Sequence, residues 1–390
     1  MNNFIFHSPT KIYFGKDQEL IVGKIIKEYG YKKILLHYGM QSIFKSGLYD
    51  KVIKSLNDYS VDYIELGGVE ANPKIELVRK GVVLAKEHNV DFILAIGGGS
   101  VIDSAKAIAC GSKVNEDPWM FSMHELSPCD ALPIGVILTI SAAGSELSNS
   151  CVISNSIYNL KRGFNSDLIR PKFAILNPEL TYSVSKYQTG CGIVDILMHT
   201  IERYLVLEDA DLTHSMAEGL LKSVMRAGSV AINNPYDYDA RSTLMLASSL
   251  SHNGLTGLGI NMFFTVHKLE HELSGFYDEV PHGAGLSILF PAWARFLAKI
   301  NCEKLAKFAR NVMDVLPSGS DYNDALEGIN RLEKYFKSLD MPTRMIDLNL
   351  KNVDFEGMAL SATNNGQNVV KGIKDLNYDD ILEIYKNSYQ

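Results

Sequence analysis

The stretch that decides the fold reads FILAIGGGSVIDSAKAIA and runs from Phe92 to Ala109. Its first five residues are apolar and predict a buried β-strand, and its last nine have the apolar spacing of a helix. Gly97, Gly98, Gly99 and Ser100 stand between them. A glycine turn that joins a strand to a helix indicates an α/β unit whose backbone can come close to a ligand.

The same alternation extends on both sides of this stretch. Four further apolar runs are predicted as strands, at 33–38, 61–66, 134–139 and 173–176. A helical pattern occupies 73–88, with Pro73 suited to its first turn. Strands that alternate with helices predict a parallel sheet with helices on both faces.

The character of the chain changes near residue 180. Long apolar stripes at helical spacing follow, at 188–207, 241–251 and 291–316, and no convincing strand run appears before the C-terminus. We therefore predict a boundary at residue 180, between an α/β domain and an all-α domain.

Composition excludes several classes of partner. The 390 residues are 46% hydrophobic and 21% charged, and a net charge of -7 gives no broad basic field for nucleic acid. The first residues lack the pattern of a secretory signal, no 18-residue apolar run occurs, and the five cysteines show no CxxC spacing. We expect a cytoplasmic protein that binds neither membrane nor nucleic acid.

A second small-residue turn supports a ligand at the first. Ser141–Glu146 follows the strand predicted at 134–139, so both turns should lie at the carboxyl ends of neighbouring strands, where open α/β sheets bind ligands. Alone, the glycine turn could equally be a tight connection without a ligand. Together the turns predict a bound dinucleotide, although the GxGxxG fingerprint of a standard Rossmann fold is absent.

Histidines cluster in the second half of the chain. Asp195 and His199 are four residues apart on the helix predicted at 188–207, a spacing that also suits an ordinary polar pair. His267 and His271 repeat this spacing, and His282 follows in a Pro-His-Gly turn. One carboxylate and three imidazoles suit a divalent transition metal, Fe²⁺ or Zn²⁺. Such a site needs only one of His267 and His271.

Five segments carry a resemblance to a known family: GGVEANP (67–73), AIGGGSVIDSAKAIA (95–109), LTISAAGSELS (138–148), GCGIVDILMHTIERYL (190–205) and HKLEHELSGFYDEVPHGAGL (267–286). The chain resembles the iron-containing alcohol dehydrogenases, and in particular their butanol dehydrogenase-like branch of NAD(P)H-dependent aldehyde reductases. The resemblance implies a Rossmann-like dinucleotide-binding domain at 1–180 and a helical metal-binding, catalytic domain at 181–390.

The resemblance also implies roles for individual residues. Asp195, His199, His267 and His282 match the metal ligands, and His271 matches a histidine that relays protons. Asp103 lies in the segment next to the nicotinamide, and we assign it a catalytic role. The positions that match cofactor contacts are Asn72, Gly97, Gly98, Gly99, Ser100, Asp103, Thr139, Ser145 and Lys161. We add Ser141 of the second turn as a further contact.

The turn after the strand at 33–38 bears on the choice of cofactor. NAD-using members of the family tend to carry an aspartate where Gly39 stands, and 38–42 contains no acid. Gly39 leaves space for a 2′-phosphate, and the Ser42 hydroxyl can donate to it. We therefore predict NADP(H) in preference to NAD(H), with Gly39 and Ser42 as contacts.

These observations predict an enzyme that transfers a hydride between NAD(P)H and small, aliphatic aldehydes or alcohols. A homodimer is common in the family that the chain resembles. Three alternatives stay open at this point: a glycerol dehydrogenase or dehydroquinate synthase-like enzyme of the same fold, a metal-dependent hydrolase, and a non-enzymatic metal- or nucleotide-binding protein. A hydrolase would give no reason for the paired turns.

Overall fold

The computed structural model describes residues 1–390 and divides them into two compact units. The α/β unit comprises His7–Val184 and Pro235–Asn253. The helical unit comprises Met1–Phe6, Ser185–Asn234 and Gly254–Gln390. After Met1–Phe6, the chain stays in the α/β unit up to Val184, and Ser185 lies close to the boundary predicted at residue 180. It returns once to the α/β unit, at Pro235–Asn253.

The α/β unit contains every strand of the molecule. These are β1 (Lys11–Phe14), β2 (Lys33–Tyr38), β3 (Asp62–Leu66), β4 (Phe92–Gly97), β5 (Ile134–Leu138), β6 (Ser150–Asn155), β7 (Leu160–Asn165) and β8 (Phe173–Leu176). Six strands form a parallel sheet in the order β1-β8-β5-β4-β2-β3, and β6 pairs antiparallel with β7. The parallel sheet predicted from the sequence is confirmed.

The same unit holds seven helices. They are α1 (Val22–Glu28), α2 (Ser42–Lys45), α3 (Leu48–Asp58), α4 (Ile75–Glu87), α5 (Gly99–Gly111), α6 (Trp119–Ser122) and, from the later segment, α9 (Tyr238–His252). The helical unit holds the others: α7 (Lys186–Tyr204), α8 (Asp211–Asn233), α10 (Thr265–Phe276), α11 (His282–Ala298), α12 (Glu303–Asn311), α13 (Asp321–Ser338), α14 (Phe355–Ala362) and α15 (Tyr378–Asn387).

Apolar clusters bury both faces of the sheet. Successive side chains of each strand point to opposite sides, so one strand contributes to both clusters. Ile93 and Ala95 of β4 pack in one apolar cluster with α4 and α5. Phe92, Leu94 and Ile96 of the same strand pack in a second cluster with α1 and α3. Each buried Leu or Ile contributes about 1.5–3 kcal/mol, so a strand that is apolar on both faces is fixed in the middle of the sheet.

The helical unit corrects one prediction. The helix predicted at 291–316 is wrong: α11 runs through Pro291 and ends at Ala298, and α12 begins at Glu303. Leu286, Ile288 and Leu289 are buried and extend the helix on the N-terminal side of the proline. No helix of the chain combines the length and the apolar character that crossing a lipid bilayer requires.

Candidate metal and cofactor sites

The first candidate site starts on α7 of the helical unit. The Ser185 hydroxyl caps this helix by accepting a hydrogen bond from the Gln188 backbone N–H. Asp195 and His199 lie one turn apart on it, and both are at least 95% buried. A buried carboxylate is costly unless a cation or donors face it, so its surroundings decide what it does.

The side chains around Asp195 come from two other helices. His267 lies in the first turn of α10, and His282 is the first residue of α11. The Asp195 Oδ1 atom lies 3.5 Å from Nε2 of His267 and 3.7 Å from Nε2 of His282. Possible ligand atoms of these three residues all lie within 4.8 Å of one another. The structure therefore brings three of the four predicted metal ligands into one cluster, which we call the metal cluster.

The fourth predicted ligand lies at the side of the metal cluster. His199 Nδ1 is 3.5 Å from Asp195 Oδ1, and its ring stacks on His267 with the centroids 4.5 Å apart. His199 is nevertheless not a member of the group within 4.8 Å. A second such group consists of Glu270, His271 and His282, and the rings of the two histidines lie 5.7 Å apart. His271 is half-buried.

Sequence reasoning missed Glu202, which contacts His267 on the side of the ring away from Asp195. This carboxylate accepts a hydrogen bond from His267 Nδ1, and it also accepts from the backbone N–H groups of Val266 at 2.6 Å and His267 at 3.2 Å. Glu202 thus occupies Nδ1, and Nε2 is the ring atom that points at Asp195. A signal was available, since Glu202 follows His199 by three residues and lies on the same side of α7.

Glu270 plays the same part for His282 and was also missed. Its carboxylate accepts a hydrogen bond from His282 Nδ1, and its side chain is fully buried. Two glycines of the Pro-His-Gly-Ala-Gly segment make room for this arrangement. A Cβ on Gly285 would lie 2.7 Å from Glu270 Cγ, and one on Gly283 would collide with the Cys191 backbone of α7. These close contacts explain why α11 begins with small residues.

The residues of the metal cluster fit a divalent ion. Asp195 Oδ1 and His267 Nε2 are both buried and have no hydrogen-bond partner, although they face each other. Burial alone would lower the pKa of His267, but the carboxylates of Glu202 and Asp195 outweigh it and raise the pKa to about 9. The site thus attracts positive charge. One carboxylate oxygen with imidazole nitrogens is a donor set typical of Fe²⁺ or Zn²⁺.

The second candidate site lies in the α/β unit, at the glycine turn. Gly97 ends β4, Gly98 is the N-cap of α5, and no side chain caps this helix. A Cβ on Gly98 would collide with the Ile140 side chain, and one on Gly99 would lie 3.0 Å from the Ala143 Cβ. The turn therefore presents backbone N–H groups and the positive end of a helix, which fits a pyrophosphate.

The second turn lies beside the first. Gly97 of β4 pairs with Leu138 of β5, and the Thr139 backbone N–H donates to the Gly97 carbonyl at 3.1 Å. Ser141–Glu146 follows directly. Its Ala142 backbone exchanges hydrogen bonds with the Ser248 hydroxyl of α9. The predicted contacts Gly97, Thr139 and Ser141 are thus brought together at one edge of the sheet.

A buried lysine that the sequence analysis did not single out fixes this loop. Lys106 Nζ donates to the Ser145 hydroxyl at 2.9 Å and to the carbonyls of Ser145 and Ser150 at 2.7 and 2.8 Å. Burial lowers its pKa to about 8. Asp103 accepts from the Ser145 hydroxyl at 2.6 Å and from the Val152 backbone at 3.0 Å, so both of its oxygens contact protein. A lysine between two alanines of a predicted helix was the available signal.

The remaining predicted cofactor contacts lie around the same sheet edge or on the hairpin. Lys161 of β7 pairs with Ser154 of β6, whose N–H donates to the Pro73 carbonyl next to Asn72. Asn72 adopts a positive φ of 53°, which asparagine tolerates well. Gly39 directly follows β2, and Ser42 begins the short helix α2.

Comparison with known proteins places the chain among dehydrogenases. Residues 9–178 match the family described as iron-containing alcohol dehydrogenase, and residues 189–389 match the C-terminal part of the Fe-containing alcohol dehydrogenase family. The chain is 39% identical over 393 residues to NADH-dependent butanol dehydrogenase A of Clostridium acetobutylicum, with 100% of both proteins covered. It is 33% identical to an NADPH-dependent aldehyde reductase of Escherichia coli, with 99% of each covered.

Solved structures agree with these sequence matches. The crystal structure of NADH-dependent butanol dehydrogenase A from Thermotoga maritima superposes with a TM-score of 0.96 at 33% identity. The match covers 100% of this chain and 99% of that one. The fold predicted from the sequence, a parallel α/β domain with a helical domain after it, is therefore confirmed.

Proposed function

The chain belongs to the iron-containing alcohol dehydrogenase family, and from this premise we propose which of its residues serve the reaction, which cofactor it prefers and which substrates it takes. It is a metal-dependent alcohol dehydrogenase or aldehyde reductase that uses a nicotinamide cofactor. The family predicted from the sequence motifs is confirmed. The glycerol dehydrogenase, dehydroquinate synthase-like and hydrolase alternatives are not favoured, because the relatives described above are butanol dehydrogenases and an aldehyde reductase.

Asp195, His267 and His282 would hold the divalent ion, and His199 is the fourth ligand that we propose. The orientation of two imidazoles carries this assignment. His267 and His282 both point Nε2 toward Asp195 Oδ1, and a buried carboxylate accepts a hydrogen bond from Nδ1 of each. When bound, the ion supplies a Lewis acid for the substrate oxygen, and the nicotinamide supplies or accepts the hydride.

His271 is the group that we propose for proton transfer. It lies on α10 one turn after His267, and its ring neighbours that of His282. Its partial exposure allows exchange with solvent, so its imidazole can pass a proton to the oxygen that becomes the alcohol hydroxyl. The catalytic role predicted for Asp103 stays a prediction. The contacts of Asp103 with Ser145 and Val152 favour a part in positioning the second turn.

The backbone of the glycine turn, together with Ser100, Thr139, Ser141 and Ser145, would hold the cofactor. We propose that the adenosine end lies near Gly39 and Ser42, and that NADP(H) is preferred over NAD(H). A Cβ on Gly39 would meet its nearest atom at 3.5 Å, so this position has room. No acid stands between Tyr38 and Ser42 to repel a 2′-phosphate. The relatives bear the names of both cofactors, so they leave this choice open.

Small aliphatic aldehydes are the substrate class that we propose, since the relatives are named for butanol and for aldehyde reduction. The test mixes purified protein with NADPH and butanal and follows the absorbance of the reduced nicotinamide. Loss of absorbance that requires both butanal and bound metal supports the proposal. A protein that retains its metal but leaves NADPH unchanged across a panel of short aldehydes would contradict it. The homodimer and the cytoplasmic location stay predictions.

A further inference from the structure

We propose that Glu202 and Glu270 are positioning residues that fix His267 and His282 as Nε2 ligands and set the charge of the metal cluster for a divalent ion. This inference rests on the proposed function, because it assumes that Asp195, His267 and His282 hold the metal. Neither glutamate is itself a ligand in this scheme. Each acts through a histidine, because its carboxylate accepts a hydrogen bond from the Nδ1–H group of that histidine.

Glu202 ties the start of a helix to the orientation of a ligand. The N-cap residue of α10, Phe264, has no side chain that caps the helix. Glu202 of α7 supplies this function from outside, since it accepts from the backbone N–H groups of Val266 and His267. The same carboxylate accepts from His267 Nδ1. These three hydrogen bonds to one carboxylate fix the orientation of the His267 ring and keep its Nδ1 protonated.

Glu270 reaches His282 through space that a glycine provides. Glu270 lies on α10 and is fully buried against α11, where a Cβ on Gly285 would lie 2.7 Å from its Cγ and 3.1 Å from its Oε1. A larger residue at position 285 would push the carboxylate away from His282. Gly285 therefore leaves the space that the Glu270 side chain occupies, and the Glu270 carboxylate orients the His282 ring.

The charges around the cluster point to a divalent ion. Asp195, Glu202 and Glu270 bring three buried negative charges. Arg203 brings one positive charge, because a guanidinium stays protonated in proteins, and its Nη1 donates to the His199 carbonyl at 2.7 Å. With neutral imidazoles, as metal ligation requires, two negative charges remain. A divalent ion balances them, so each glutamate contributes charge as well as orientation.

Another buried glutamate of α10 provides a matched control. Glu272 is 1% exposed, and its Oε2 accepts from the Ser361 hydroxyl of α14 at 2.6 Å. It is two residues from Glu270, and this hydrogen bond links it to α14 instead of to a histidine of the metal cluster. Glu272→Gln therefore makes the same chemical change in the same helix at a similar depth, away from the ligand histidines.

The experiment compares metal binding in the wild type, Glu270→Gln, Glu202→Gln and Glu272→Gln. Each protein is loaded with Zn²⁺, and the rate of metal loss to an excess of chelator is measured. We expect Glu270→Gln to lose Zn²⁺ about 10–100-fold faster than the wild type, because a neutral amide is a weaker acceptor and removes one negative charge. Glu202→Gln should lose it at least as fast, since an amide NH₂ cannot accept from all three donors. Glu272→Gln should match the wild type.

Substitution with Co²⁺ gives a second readout that a merely structural role would not change. The visible absorption of Co²⁺ reports the ligand field, so the spectrum should shift in Glu270→Gln and stay as in the wild type in Glu272→Gln. A Glu270→Gln protein with the dissociation rate and cobalt spectrum of the wild type would overturn the inference. If this variant does not fold, Gly285→Ala carries the same expectation, because it displaces the Glu270 side chain without altering it.

His267→Ala separates failure of the inference from failure of the metal site. If this variant keeps its metal as the wild type does, the ligand assignment is wrong. If His267→Ala loses its metal but Glu270→Gln and Gly285→Ala both keep theirs, the ligands stand and only the positioning role falls.

Discussion

The two candidate sites are built from different materials. The metal cluster consists of charged and ionisable side chains from three helices, and each imidazole is held by a second side chain behind it. The cofactor turns consist largely of backbone and residues with little or no side chain, at the carboxyl ends of β4 and β5. On our proposal, the first site recognises an ion by charge and donor type, and the second recognises a phosphate by shape and N–H groups.

This difference predicts opposite sensitivities. Removal of one side chain from the metal cluster leaves a charge without its partner or a ligand set with a gap, so the loss should be large. In the cofactor turns, addition of a side chain does the damage, because the atoms that bind are backbone atoms that every substitution retains. Removal of a side chain from the metal cluster should therefore lower metal content and leave cofactor affinity unchanged. Addition of a side chain in the cofactor turns should lower cofactor affinity and leave metal content unchanged.

The largest effect is expected at the metal cluster. His267→Ala and His282→Ala should each lose most bound metal and nearly all reductase activity, because a set of few ligands loses affinity steeply when one is removed. Binding of NADPH, followed by its fluorescence, should persist in both variants. Unchanged metal per chain in both would show that these histidines are not ligands.

The next effect distinguishes His271 from the ligands. His271→Ala should keep its metal and turn over roughly 100-fold more slowly, since general acid catalysis typically contributes about 10²–10⁴-fold. His199→Ala is the comparison, and we expect it to lose metal. Metal loss in His271→Ala together with retention in His199→Ala would exchange the roles of the two residues and favour the group of Glu270, His271 and His282.

A smaller effect is expected at the glycine turn. Gly98→Ala adds a Cβ that would collide with Ile140, and overpacking of this kind costs about 1–3 kcal/mol. We expect the KM for NADPH to rise roughly tenfold while metal content stays that of the wild type. Gly219→Ala in α8 is the control, because a Cβ there meets nothing within 4 Å. Loss of metal rather than of cofactor affinity in Gly98→Ala would break the comparison between the sites.

The smallest effect concerns the choice between cofactors. The wild type should have a higher kcat/KM with NADPH than with NADH, by a modest factor because no arginine stands near the turn at 38–42. Gly39→Asp should shift this ratio toward NADH, since its carboxylate would repel a 2′-phosphate and accept from a ribose hydroxyl. A wild type that prefers NADH, or a variant with an unchanged ratio, would contradict the proposal.

The same contrast explains how far the sequence could lead. The glycine turn is local: strand, glycines and helix are contiguous from Phe92 to Ala109, so periodicity alone located it. The hairpin of β6 and β7 was not predicted because its strands, SCVISN and LKRGFN, have no sustained apolar run. Its partners are set by contacts far along the chain, such as that of Val152 with Asp103.

The metal cluster was only partly predictable, because its parts meet through tertiary packing. Histidine spacing and the resemblance indicated the residues that we propose as ligands. Glu202 and Glu270 escaped notice because a glutamate in an amphipathic helix is usually solvated, and nothing local shows that these two are buried. Lys106 escaped for the same reason. Lys106 did leave one local signal, because it stands between Ala105 and Ala107 on a helix that the sequence predicts.

The central claim is that one divalent ion in the metal cluster is required for reduction. The most direct measurement removes the metal from the wild type with a chelator and then adds Fe²⁺ or Zn²⁺ while butanal-dependent oxidation of NADPH is followed. We predict no reduction without metal, although NADPH still binds, and activity that rises in proportion to bound ion until one ion per chain is reached. Full activity in protein without detectable metal, or a rise that continues to a second ion, would contradict the account.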